Sequence, residues 1–233
     1  MEVPSLPIHR AATSGDVDAL RRALEDGVSP NAADPPYGFT PLHYLCGGVE
    51  GGDRVACIEL LIASGANVNV GNSANVTPLH WAILSHPEFV PLLLDAGADP
   101  NYTTNGRQSA LHYVFMSDYD NLRVKAMVQE LIRAGGDVNL TNQYGRTPLE
   151  AAIFTRNVGM YHKLYPIFFR AGAALPTGTD IAYVQKIRAA GGFKRYERNH
   201  LNAITATFVP KFPRLPPEMV RRVVEYAFHV GDY

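Results

Sequence analysis

Three histidines recur at one kind of place in the 233-residue chain. His43 closes Thr40-Pro41-Leu42-His43, His80 closes Thr77-Pro78-Leu79-His80, and His112 closes the looser Ser109-Ala110-Leu111-His112. With Cys46 and Cys57 they are the side chains from which a zinc site or a Cys–His nucleophilic pair is built. Neither chemistry finds its spacing. There is no His-x-x-x-His and no Cys-x-x-Cys, and neither cysteine sits in the sequence surroundings of a catalytic nucleophile. Gly-x-Ser-x-Gly, Gly-x-x-x-x-Gly-Lys-Thr and Gly-x-Gly-x-x-Gly are absent too, so the motifs of acyl transfer, phosphate cradling and dinucleotide binding are missing. The chain is therefore expected to be no enzyme, with no cofactor and no metal.

The histidines are positioned by a pair of short helices, clearest in residues 75–101. Thr77 suits an N-cap and Pro78 the first helical position, where a missing N–H costs nothing. Leu79, Ala82 and Ile83 form one apolar stripe. His86-Pro87 stops that helix, Phe89, Val90, Leu92, Leu93 and Leu94 predict a second, and Gly97 supplies the positive φ that ends it. A unit this small cannot bury its own apolar face, so copies are required. They are present. Thr147-Pro148-Leu149-Glu150 is a fourth version of the tetrad, and the steps between copies are 37, 32 and 38 residues. Gly65-Ala66-Asn67-Val68-Asn69, Gly97-Ala98-Asp99-Pro100-Asn101 and Gly135-Gly136-Asp137-Val138-Asn139 keep the same beat, after a partial Gly27-Val28-Ser29-Pro30-Asn31.

This pattern closely resembles the ankyrin-repeat family over residues 8–174. The resemblance implies an all-α solenoid of about five helix-turn-helix units. It comprises a capping repeat at 1–36, four repeats at 37–174 and a helical C-terminal extension at 175–233. In that family the Thr and His of the tetrad hydrogen-bond within and between repeats, so His43, His80 and His112 are expected to be satisfied core residues. Stacked units would hold them roughly 10 Å apart, too far for one metal ion. Partners bind such stacks on a concave face made by the turns and first helices. The matching positions are Tyr37, Phe39, Ser73, Val76, Arg107, Gln108, Tyr144 and Arg146, with Met116, Phe154 and Arg156 along the first helices. Aromatics and arginine are the types enriched at interface hot spots.

Some stretches depart from the pattern. Asn75 replaces the usual Gly, and Asn is the next-best residue for a left-handed slot. Gly106-Arg107-Gln108-Ser109 reads as one residue longer than Gly38-Phe39-Thr40. Inserts separate the helices at 47–53, where four glycines suggest flexibility, and at 117–121. In the fourth repeat the second helix, about 160–170, is expected to kink at Pro166.

The overall charge of −1 draws the chain neither to nucleic acid nor to membrane. Residues 1–185 carry 12 Lys/Arg against 18 Asp/Glu, and residues 186–233 carry 9 against 4. The C-terminal part thus has its own character. Helices are expected at 180–190, 196–208 and 217–230, with an extended link at 210–214. Leu215-Pro216-Pro217-Glu218-Met219-Val220-Arg221-Arg222-Val223-Val224-Glu225-Tyr226 resembles the opening of an F-box, placed after repeats as in poxviral ankyrin proteins, and more faintly a SOCS box. That resemblance implies docking on an adaptor of a cullin-type ubiquitin ligase through Leu215, Pro216, Glu218, Met219, Val223, Val224 and Tyr226. The other reading is a helical cap over the last repeat. With no apolar run of 18 residues and no secretory leader pattern at Met1, the expectation is a monomeric, intracellular protein, cytoplasmic or nuclear, that binds another protein.

Overall fold

The computed structural model describes residues 6–48, 51–154, 164–177, 181–211 and 216–230, with only the backbone of Phe154 and of 226–230. Arg156 and Leu215 lie outside the described residues. All named elements are helical, and there is no strand beyond an isolated Asp34–Phe39 bridge among the described residues. The chain divides into two compact units, Met1–Tyr161 and His162–Tyr233.

The first unit stacks helix pairs: α1 (Pro7–Ser14) with α2 (Val17–Glu25), α3 (Pro41–Gly47) with α4 (Arg54–Ala63), α5 (Pro78–Ser85) with α6 (Val90–Asp95), and α7 (Ala110–Val114) with α8 (Asn121–Arg133). Then comes α9 (Pro148–Phe154). The first helices pack in series, α1 on α3, α3 on α5, α5 on α7 and α7 on α9, and among the second helices α2 packs on α4 and α6 on α8. Between the rows lie Leu42, Leu45, Ile58 and Leu61, then Leu79, Ile83, Val90 and Leu93, then Leu111, Val114, Val128 and Leu131, all buried. Each such side chain contributes about 1.5–3 kcal/mol by leaving water. The short helices persist because neighbouring repeats supply that burial, not through propensity.

Both inserts are anchored. Gly51 and Gly52 lie against Gly15 of the first repeat, and the Asp53 N–H donates to the Gly15 carbonyl at 3.0 Å. A Cβ on Gly15 or Gly52 would collide with the opposing backbone, so these glycines serve close approach and not flexibility. In the other insert, Tyr119 donates its hydroxyl to the Leu84 carbonyl at 3.2 Å.

The second unit holds α10 (Tyr165–Arg170), α11 (Ala182–Ala189), α12 (Phe193–Phe208) and α13 (Pro217–Val230). Pro166 stands in the first turn of α10, which directly follows Leu164 in a 3-10 turn, and the start of the helix expected from about 160 lies outside the described residues. Val209–Lys211 continues α12 as a 3-10 turn, so residues 210 and 211 of the link expected at 210–214 are not extended, and 212–214 lie outside the described residues. Tyr165, Phe169, Tyr183, Phe193 and Tyr196 form a connected aromatic cluster. Arg170 donates to Glu197 at 2.9 Å. On α13, Val220 and Val224 are buried with Leu201 of α12.

Candidate protein-binding face

The tetrads make the frame. In α3 the Thr40 N–H donates to His43 Nδ1 at 3.1 Å, closing a reciprocal capping box. His43 Nε2 then donates to the Val76 carbonyl of the next repeat at 2.8 Å. An Nδ1 that accepts and an Nε2–H that donates define one neutral tautomer. His112 repeats the arrangement, accepting from Ser109 N–H at 3.2 Å and donating to the Arg146 carbonyl at 3.0 Å. His80 keeps the local bond from Thr77, but its Nε2 lacks a hydrogen bond of normal geometry. Burial pushes His43 and His80 down to about 4, and it lowers His112 as well. In the fourth repeat Glu150 Oε2 accepts from Thr147 N–H at 3.0 Å, so a carboxylate makes the same local cap.

The first repeat carries a further version, Leu6-Pro7-Ile8-His9, 34 residues before Thr40-Pro41-Leu42-His43. His9 Nε2 bonds the Ala32 carbonyl at 2.7 Å. Its Pro-Ile-His spacing was the available signal. Leucine in place of threonine hides it, and removes the side-chain cap.

Buried Arg54 has no such sequence signal. Its guanidinium comes back from α4 to the end of α3, donating to the carbonyls of Tyr44 (2.9 Å), Leu45 and Gly48 (3.1 Å). It satisfies the orphan carbonyls of that helix end, where a cation also suits the macrodipole. Cys46 and Cys57 are unlinked and buried, and burial pushes their thiols up to about 12 and 11. Neither is poised as a nucleophile.

Asn31, Asn69 and Asn101 tie successive units at the far edge. Each side-chain amide donates to the Gly65, Gly97 or Gly135 carbonyl of the next repeat at 2.9–3.1 Å, and each carbonyl oxygen accepts a backbone N–H at 2.7 Å.

The turn tips form a second ladder. Ser73 N–H donates to Tyr37 O (2.9 Å), Asn105 N–H to Ala74 O (3.0 Å) and Gln143 N–H to Gly106 O (3.0 Å). At each base a backbone pair sets the register: Asp34 with Phe39, Asn72 with Val76, Thr104 with Gln108, Asn142 with Arg146. Counted from these pairs, the left-handed slot falls to Gly38 (φ 71°), Asn75 (57°), Arg107 (56°) and Gly145 (70°). The third tip is therefore not one residue longer at Gly106. Arg107 itself takes the glycine slot. A non-glycine residue there costs about 1–2 kcal/mol, while glycine is more costly to order. Arg107→Gly is accordingly expected to stabilise the chain by about 0.5–1 kcal/mol, read as a higher urea midpoint. A lower midpoint would mean the side chain holds the turn.

On this frame Tyr37, Tyr144 and Met116 are 59, 72 and 54% exposed. Ser73, Arg107 and Arg146 are exposed as well. Met116 lies two residues past α7, not on it, and receives Gln108 Nε2 at 3.6 Å. Phe39 is half-buried, its ring 5.7–6.0 Å from those of Tyr37, His43, Tyr44 and Trp81. Val76 and Gln108 are half-buried and belong more to the frame. Phe154 ends α9. Of the C-terminal set, Pro216 and Glu218 are exposed, Met219 and Val223 are 51 and 64% exposed, and Val224 is buried. The backbone of Tyr226 continues α13.

The class these features define is an all-α repeat solenoid. Residues 8–104 match the sequence model for ankyrin repeats in three copies. The chain is also similar to Palmitoyltransferase AKR1 of Kluyveromyces lactis, 33% identical over 151 residues, which is 63% of this chain and 19% of that protein. It is similar to SH3 and multiple ankyrin repeat domains protein 2 of Homo sapiens, 31% identical over 64% of this chain and 8% of that protein. A Caenorhabditis elegans homolog of transient receptor potential cation channel subfamily A member 1 is 29% identical over 66% of this chain and 11% of its own length. The chain thus spans less than a quarter of each relative. No helix among the described residues is long and apolar enough to cross a membrane.

Proposed function

We propose that this chain is a non-catalytic recognition module whose partner protein binds along the turn tips and first helices. One observation carries the reading: Tyr37 and Tyr144 stand exposed on tips that backbone hydrogen bonds tie together, and exposed Met116 lies against Gln108 of the third tip. Large apolar side chains on a pre-ordered frame lose little entropy on binding. Tyr144→Ala or Arg146→Ala is expected to weaken partner binding about tenfold or more, with no drop in melting temperature. Unchanged binding in both variants removes this face from the proposal.

A second reading is favoured by Met219 and Val223, adjacent on α13 at i and i+4 and both exposed. In it α13 docks an adaptor of a cullin-type ubiquitin ligase, and the repeats choose the substrate. The full chain is expected to capture a Skp-type adaptor, and Met219→Arg with Val223→Arg to lose it. An adaptor that never binds the intact chain ends this reading.

A further inference from the structure

We propose that the turn-tip face selects an acidic peptide segment in extended conformation, and that Arg107 is the residue that selects it. The inference deepens the recognition reading above and rests on it. Two independent observations carry it.

The first is charge placement. Residues 1–161 hold 10 Lys/Arg and 17 Asp/Glu, a net charge of −7. The tip stretches 37–39, 73–76, 105–108 and 143–146 contain no carboxylate, and they contain Arg107 and Arg146. A unit whose field repels acidic chains elsewhere is cationic along one row.

The second is conformational. Arg107 occupies at φ 56° the slot that Gly38, Asn75 and Gly145 fill in the neighbouring tips. A long side chain kept where its backbone is unfavourable points to use of that side chain. Arg107 is exposed and takes part in none of the ion pairs among the described residues. Its planar fork fits a carboxylate with two parallel N–H···O bonds.

Geometry then fixes the spacing. Adjacent tips lie about 10 Å apart, the packing distance of neighbouring helices. An extended chain advances about 3.3 Å per residue. A segment running along the tips therefore meets one tip every third residue. A carboxylate at Arg107 places the side chain three positions away beside Tyr144 and Arg146, with Met116 offering apolar contact on the Arg107 side.

The test uses the intact chain and a phage-displayed library of random dodecapeptides, panned in parallel on wild type and on Arg107→Gly. Wild type is expected to enrich Asp or Glu three residues from an apolar or second acidic position. Arg107→Gly is expected to lose that enrichment. A synthetic wild-type-selected peptide, followed by fluorescence anisotropy, should bind the variant about tenfold more weakly. Since this variant is expected to fold at least as stably, lost binding is not lost structure. Selected peptides without carboxylates, or acidic peptides that bind both proteins equally, overturn the proposal. So does a dT20 oligonucleotide that outcompetes the selected peptides and depends on Arg107, which would assign the arginine to phosphate. If non-acidic peptides are selected and Tyr144→Ala weakens them, the recognition reading stands and only the acidic selectivity falls. If no peptide is selected, or none responds to either variant, both fall.

Discussion

Arg54→Met is expected to lower the stability of the repeat unit by about 2–4 kcal/mol, and its urea midpoint by roughly 1–2 M. The side chain is 6% exposed and donates to three carbonyls at the end of α3. Methionine fills comparable space but takes the guanidinium from all three, although the Tyr44 carbonyl keeps the Gly48 N–H and the Gly48 carbonyl keeps His86 Nε2, each at 2.9 Å. Removing a buried cation also removes its desolvation cost, which keeps the expected loss from being larger. Arg54→Lys should recover part of it, because an ammonium can reach a carbonyl but lacks the planar fork. A midpoint unmoved in Arg54→Met would show that the end of α3 is held by the glycine backbone alone.

Acid should unfold the repeat unit through its histidines. In the unfolded chain a histidine titrates at about 6.5, and burial holds His43 and His80 at about 4 in the folded state. Above pH 6.5 both states are neutral and the two residues confer no pH dependence. Between pH 6.5 and 4 the unfolded chain binds two protons that the folded chain refuses, so stability falls as pH falls. Below about 4 both states are protonated and this contribution levels off. At 1.36 kcal/mol per unit, each histidine accounts for about 3 kcal/mol across the window. His112, lowered in the same direction, adds to it. His43→Gln and His80→Gln isolate these contributions from the carboxylates that titrate nearby. Glutamine can accept from the capping N–H, as Glu150 does. Each variant is expected to take about one proton out of the slope of unfolding free energy against pH. Slopes unchanged in both would mean that the folded histidines titrate normally.

Much of this frame was legible in the residues. Thr77-Pro78 announces a helix start because cap chemistry is local, and Gly65, Gly97 and Gly135 announce helix ends because only a left-handed turn needs them. Asn75 reads correctly as a left-handed residue for the same reason. Arg107 does not, because the neighbouring Gly106 is a better candidate by type. Only the Thr104–Gln108 backbone pair, a relation between two residues, fixes the count. Arg54 is hidden for a different reason. A lone arginine on a helix start is ordinarily solvated, and nothing in the chain says that α3 ends in front of it. On the candidate face, sequence picks side chains by position in the repeat and cannot weigh exposure. Tyr37 and Tyr144 prove open, whereas Phe39 is half-claimed by the rings of Tyr44 and Trp81. On α13, of Met219, Val220, Val223 and Val224, only Val220 and Val224 are covered. Met219 and Val223 look the other way.

The ring that covers Phe39 belongs to the single tryptophan of the chain. Trp81 rises from α5 beside Gly47, where any Cβ would come within 2.8 Å of the indole, and stands 5.8 Å from the Phe39 ring. Its emission is therefore a built-in, label-free optical readout placed in the middle repeats. A peptide that seats along the tips should change its colour or intensity before any helix melts. The same signal should report the melting of the middle repeats under acid or urea. Titration and denaturation can then be followed on one native chromophore, with excitation at 295 nm passing over the tyrosines. The Gly47 that lets the indole lie so close also makes Gly47→Ala the simplest means of moving that reporter, and with it the ring that packs on Phe39.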